Sequence, residues 1–206
     1  MRWYPDRIPD WLSGLFPNYH WHGDRSNKFV YLTFDDGPTP VVTPFVLEQL
    51  KRFAFKATFF MIGDCARRFP EIKKEVLNQD HAIGNHTFHH IDAWKVPCDE
   101  YLDNIAFAKA QTSTNLFRPP YGRITRKVTK QLVADGFKIM LWDVLSGDFD
   151  RKRSPSSVLK NLKKSTKNGS IIVFHDSEKA FPILKEVLPE YLKWLKDNDY
   201  QCLSIS

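Results

Sequence analysis

The sequence predicts an α/β domain with a parallel sheet of about seven strands. Three observations carry this. Short β-branched and aromatic runs alternate with helical stretches from residue 28 onward. Seven such runs are joined by six crossovers, the pattern of repeated strand–helix–strand units. The chain has 206 residues, which suits one domain with a short extension. A distorted (β/α) barrel one strand short of eight and an open, doubly wound sheet both fit. No GxGxxG follows a strand, so the dinucleotide-binding version has no support.

Residues 1–27 read as an N-terminal extension and residues 28–206 as the domain. Pro5, Asp6, Pro9, Asp10 and Pro17 break up the apolar residues of the extension, so no export-type apolar core forms. The default expectation is therefore a cytoplasmic protein, with a peripheral membrane or cell-envelope location as the alternative. Trp3, Tyr4, Ile8, Trp11, Leu12, Leu15 and Phe16 are expected to pack on the outside of the body or to rest in a membrane interface. The predicted strands are 29–34, 57–62, 82–85, 116–119, 138–142, 170–175 and 201–205. The helices between them are 43–53, 65–78, 99–112, 125–135, 156–166 and 182–197. Thr125 and Ser156 are the expected N-caps, and Gly136 and Gly169 close turns that lead into strands.

Composition narrows the function classes. Hydrophobic residues make up 42% and charged residues 26%, too apolar for disorder. No run of about 18 apolar residues is present, so a spanning helix is not expected. The net charge of +6 is spread along the chain and does not mark a nucleic-acid binder. Three cysteines without paired spacing argue against a disulfide framework, and Cys202 reads as core. A monomer is the default.

The polar residues gather at strand ends, where parallel α/β folds carry their chemistry. The first strand ends in Asp35-Asp36-Gly37-Pro38, the third in Asn85-His86-Thr87-Phe88-His89-His90, and the fourth in Arg118-Pro119-Pro120-Tyr121. Asp143 and Asp148 follow the fifth, and His175-Asp176 closes the sixth. Asp-Gly-Pro is also plain turn chemistry. Adjacent side chains on extended backbone diverge, so Asp35 and Asp36 need not share a task. His86 and His90 stand four apart, a spacing that brings two imidazoles together on a helical turn. With a carboxylate from another strand end they form a His/His/Asp set suited to zinc or a related ion. His175 is a candidate proton donor if it faces that site. Arg118, held extended by the following proline, suits holding a carboxylate ionised and oriented. His81, before the third strand, reads as surface; His89 has no assigned role.

These residues resemble those of the polysaccharide deacetylases, the NodB-homology domain of carbohydrate esterase family 4. The resemblance covers residues 28–206 and rests on TFDDGP at Thr33–Pro38, His86-Thr87-Phe88-His89-His90, and Arg118-Pro119-Pro120-Tyr121. It implies a distorted (β/α) barrel that removes N-acetyl groups from an amino sugar or polysaccharide. Asp36, His86 and His90 would ligate a divalent metal, zinc first, with Co2+ or Ni2+ possible. Asp35 would be the base and His175 the acid. Tyr121 would supply an oxyanion N–H, and Pro120, Val173 and Asp148 would belong to the substrate side. Alternatives are O-acetyl ester hydrolysis and a catalytically impaired carbohydrate-binding homologue. The fourth motif, DxxDW, departs: Leu145 stands for its first Asp and Phe149 for its Trp. Asp143, two residues before Leu145 and on the same strand face, is the expected substitute partner of Arg118.

Overall fold

The structure, a computed structural model, describes residues 6–206 apart from the side chains at positions 12 and 13. In chain order the elements are α1 (Asp10–Ser13), β1 (Tyr19–His20), β2 (Phe29–Asp35), α2 (Val42–Arg52), β3 (Ala57–Met61), α3 (Gly63–Arg68) and α4 (Pro70–Asn78). There follow β4 (Ala82–Asn85), α5 (Cys98–Thr112), β5 (Leu116–Phe117), a 3-10 turn (Pro120–Gly122), α6 (Arg126–Ala134), β6 (Lys138–Met140) and β7 (Val144–Leu145). The chain ends with α7 (Pro155–Ser165), β8 (Ile171–His175), α8 (Phe181–Asp197) and β9 (Gln201–Cys202). The sheet order is β1-β6-β5-β4-β3-β2-β8-β7, with β9 added beside β2, and the strand pairs are parallel. This is a distorted barrel with helices outside.

The seven predicted strands are present, and two more join them. β1 comes from the N-terminal extension, and β7 follows the expected fifth strand, which stops at Met140 instead of running on to Trp142. The helix expected over 65–78 is two. Pro70 starts α4 at its first turn and Phe69 is non-helical, as the residue before a proline tends to be. The cap of α7 is Ser154, whose hydroxyl accepts from the Ser157 N–H, rather than Ser156, because Pro155 takes the first helical position. Thr125 caps α6 through the Val128 N–H.

The extension reaches the body through backbone pairing and through side chains such as Asp6 and Arg25. Tyr19–His20 adds to β6, Arg7 bridges Val144, and His22 bridges Ser170. Trp11, Leu15 and Phe16 stay exposed, at 71%, 63% and 46%, so these three do not coat the barrel as expected. Trp3 and Tyr4, and the side chain of Leu12, lie outside the described residues. Among the described residues, no helix is long and apolar enough to cross a membrane.

The largest core cluster joins β2, β3 and β8 to α2, α7 and α8, with Phe34 stacked between Phe59 and Phe174. A smaller cluster of Phe60, Leu116, Met140, Ile171 and Ile205 includes Trp142 at its edge. Into it projects Arg118, fully buried, its guanidinium 4.0 Å from the centre of the Phe60 ring. Gly84 makes that stack possible, since a Cβ there would lie 2.2 Å from Phe60. His81 is buried rather than superficial. Its Nδ1 accepts the Ala57 N–H at 3.2 Å, and burial, helped by Lys56, lowers its pKa to about 4.

Candidate active site

At Asp35 the β2 ladder ends with two neighbours in register, Phe60 of β3 and His175 of β8. Asp36 then turns into the left-handed region (φ 82°), which sends its carboxylate away from that of Asp35. The next residue has no room for a side chain: a Cβ on Gly37 would sit 2.0 Å from the Asp176 carboxylate. That carboxylate, fully buried, accepts from the Gly37 N–H at 2.9 Å and the Thr43 hydroxyl at 2.6 Å. Burial, with Asp36 adding, raises its pKa to about 7. Asp176 therefore holds the turn and does not stabilise the neighbouring imidazole.

His86 and His90 converge on Asp36, though not on a helical turn. Left-handed residues at Thr87 (φ 61°) and His90 (φ 55°) fold the loop back, leaving the two rings 5.0 Å apart. His86 donates from Nδ1 to the Arg118 carbonyl at 2.8 Å. This fixes the tautomer and leaves the Nε2 lone pair toward Asp36. Burial drives the His86 pKa down to about 4, so its ring is neutral and able to ligate. Asp36 Oδ1 lies 3.2 Å from His90 Nε2 and 3.8 Å from His86 Nε2. It is a buried oxygen with no well-formed hydrogen bond. Burial pushes the Asp36 carboxyl upward, but His90, His175 and His86 outweigh it and hold the group below the usual range. The three ligand atoms lie within 4.8 Å of one another. An orphaned carboxylate oxygen facing two imidazole nitrogens is the donor set of a catalytic zinc-type ion with open positions. His89 is held elsewhere, its Nδ1 accepting from Asn104.

Arg118 finds all its partners without Asp143. Its NH1 donates to Asp35 Oδ1 at 2.7 Å and to the Thr33 hydroxyl at 2.6 Å. Its Nε and NH2 donate to the carbonyls of Met140 (3.3 Å) and Leu141 (3.1 Å). The expected Arg118–Asp143 pair is therefore corrected. The register pairs Leu145 with Val173 and Val144 with Ile172, so Asp143 sits lower in the barrel, level with Ile171. There it accepts from the Ile171 N–H (2.8 Å), the Ser170 hydroxyl (3.0 Å) and Arg25 (2.9 Å). Asp143 is a structural anchor for the extension.

Asp148 is likewise corrected. It is fully buried and accepts twice from His175, from Nδ1–H at 2.8 Å and from the backbone N–H at 2.9 Å. It orients the imidazole rather than touching substrate. Burial would lower the His175 pKa, but Asp148, with Asp36 and Asp35, raises it to about 9. Phe149 packs edge-on against the His175 ring, centroids 5.0 Å apart.

Asp35, Asp36, His86, His90 and His175 all open into one cleft of about 500 Å3. Val173 and Leu145 give it an apolar wall, and Tyr121, exposed and left-handed (φ 61°), forms its rim. Pro120 is buried at the start of the 3-10 turn that aims Tyr121.

A polysaccharide deacetylase sequence profile matches residues 22–140. The chain belongs to the polysaccharide deacetylase family. It is 34% identical over 197 residues to a peptidoglycan-N-acetylglucosamine deacetylase of Bacillus cereus, covering 90% of both chains. It is 33% identical over 159 residues to a chitooligosaccharide deacetylase of Azorhizobium caulinodans, covering 74% of this chain and 75% of the other. Among solved structures, a peptidoglycan N-acetylglucosamine deacetylase in complex with an N-hydroxybenzamide derivative superposes with a TM-score of 0.86 at 31% identity, covering 94% of each chain. A family 4 pseudoenzyme from Bacillus anthracis shares the fold at 24% identity and a TM-score of 0.79, covering 94% of this chain and 69% of that one. As a family member this chain is a metal-dependent deacetylase of N-acetylated carbohydrate.

Proposed function

We propose that this enzyme removes the acetyl group from N-acetylglucosamine-type residues of a glycan, with peptidoglycan the favoured substrate. One observation carries the reading: a carboxylate–imidazole–imidazole set opens into the same cleft as an arginine-bound aspartate and an aspartate-bound histidine. The peptidoglycan preference is supported by the named relatives, and it puts the site of action in the cell envelope rather than the cytoplasm. Asp36, His86 and His90 would hold the metal, with zinc the first choice. When bound, such an ion supplies Lewis-acid polarisation of the amide carbonyl and lowers the pKa of water.

The remaining chemistry belongs to the chain. Arg118 holds Asp35 by one oxygen, which orients the carboxylate to take the proton of the attacking water. The Tyr121 N–H, turned by its left-handed backbone, faces the developing oxyanion; where measured, one such donor is worth about 2.7–4 kcal/mol. His175 gives its Nδ1 proton direction to Asp148, so Nε2 delivers a proton to the leaving amine. Without that proton the nitrogen would depart as an anion. Val173 and Leu145 receive the acetyl methyl. The intact acid, base and ligand positions favour an active enzyme over an impaired homologue.

The test is acetate release from N-acetylated oligosaccharides and peptidoglycan fragments. Chelation should abolish it, and zinc, cobalt or nickel should restore it. Asp36→Ala should lose bound metal and turnover together. His175→Ala should keep the metal and lose about 10²–10⁴-fold in turnover. Near-normal rates in that variant would remove His175 from the mechanism.

A further inference from the structure

Where Tyr121 and Arg123 line the cleft, the rim carries side chains that the proposed reaction steps do not use. Tyr121 meets the His90 ring edge-on, centroids 4.7 Å apart. On its far side lies the Arg123 guanidinium, 5.9 Å from the Tyr121 ring and 4.8 Å from that of Trp94. The guanidinium is anchored at 2.5 Å on Asp92, a carboxylate only 6% exposed. The other Asp92 oxygen accepts the backbone N–H of Trp94 at 3.0 Å, and the indole N–H points to the Ile124 carbonyl at 3.4 Å. Yet Trp94 is 64% exposed and Tyr121 55%. Two aromatic rings are thus held in place while water covers them, one on a strained left-handed residue. A rigid, exposed aromatic beside a polar group is a feature of binding surfaces, where rings supply area and polar tips supply direction.

We propose that Trp94, Arg123 and Tyr121 form a subsite for a second pyranose ring of the glycan, next to the sugar whose acetamide reacts. This rests on the glycan reading above. The occupant follows from continuity, since the shelf begins at the metal-ligand His90 and runs out of the cleft. It also follows from chemistry: a pyranose offers an apolar C–H face to the indole and hydroxyl oxygens to the guanidinium donors that Asp92 does not take. Asp92 already balances the Arg123 charge, so the shelf favours a neutral ring over an anionic one. Contact with a remote sugar strengthens transition-state binding, and chain length is where that shows.

The probes are the monomer and the pentamer of N-acetylglucosamine, compared in the metal-loaded wild type, Trp94→Ala and Trp94→Phe. The wild type should show a higher kcat/KM on the pentamer than on the monomer, which has no second ring to place on the shelf. Trp94→Ala should lose about tenfold on the pentamer and less than about twofold on the monomer, the loss expected of a truncated aromatic anchor. Trp94→Phe should recover most of it. Equal losses on both lengths, no loss on either, or a wild type indifferent to length would overturn the subsite. If the wild type releases no acetate from either probe, the deacetylase reading fails and calorimetric binding of the pentamer decides the shelf. Trp94→Ala should then bind at least about fivefold more weakly, whereas equal affinity, or no binding by the wild type, overturns the proposal.

Discussion

Asp148 shows how one residue sets the working range of another. His175 must be protonated to act as an acid, and its folded pKa lies near 9 because Asp148 and its neighbours overcome burial. Turnover that needs the protonated form falls as pH climbs through that value. Asp148→Asn removes the main charge that raises it, so the alkaline limb of the kcat profile should move to lower pH. A profile that loses height without moving would mean that Asp148 only positions the ring. The residues proposed as ligands, base and acid stand out in the sequence as residue types at strand ends. The partners of Asp143 and Asp148 do not. Which rung a carboxylate occupies, and which way a loop turns it, depends on register with β8, and neighbouring letters do not contain that. Asp176 is adjacent to His175 in sequence, yet its side chain points across the ladder to Gly37 and Thr43.

Elements long enough to show a period were readable; of the two-residue strands, β5 and β9 were placed by the clear helical stretches before them, and β1 and β7 were not. β2, β3 and β8 present five to seven residues of apolar pattern, whereas β1 and β7 are two residues each and are defined only by whom they pair with. The same dependence on neighbours makes β4 sensitive at Gly84. Gly84→Ala would press the Phe60 ring, which lies under Arg118, toward the guanidinium that holds Asp35. A destabilisation of about 1–3 kcal/mol is expected from overpacking, read as a lower thermal midpoint. Turnover should fall with it, because the base loses its setting. Loss of stability with unchanged kcat would show that the ring yields in another direction.

Across the whole molecule, β1 and β7 are the outer strands of the sheet order, and residues 6–25 cross the region beside them. Arg25 ties this segment to the buried Asp143 and to Asp10. Arg25→Ala leaves Asp143 without its charged donor and should cost about 1–3 kcal/mol of stability. Deacetylation by the folded enzyme should persist, since Asp143 stands apart from the catalytic groups. A collapse of kcat at temperatures where the variant remains folded would reopen a catalytic role for Asp143. One pairing described above reaches further. Asp35 and His175 are register partners on neighbouring strands, so the span between the backbones that carry the proposed proton taker and proton giver is a dimension of the hydrogen-bonded lattice, about 4.8 Å between strands. Insertions in the surrounding rim can alter what enters without resetting that span, which leaves the family free to vary its guests while keeping one reaction.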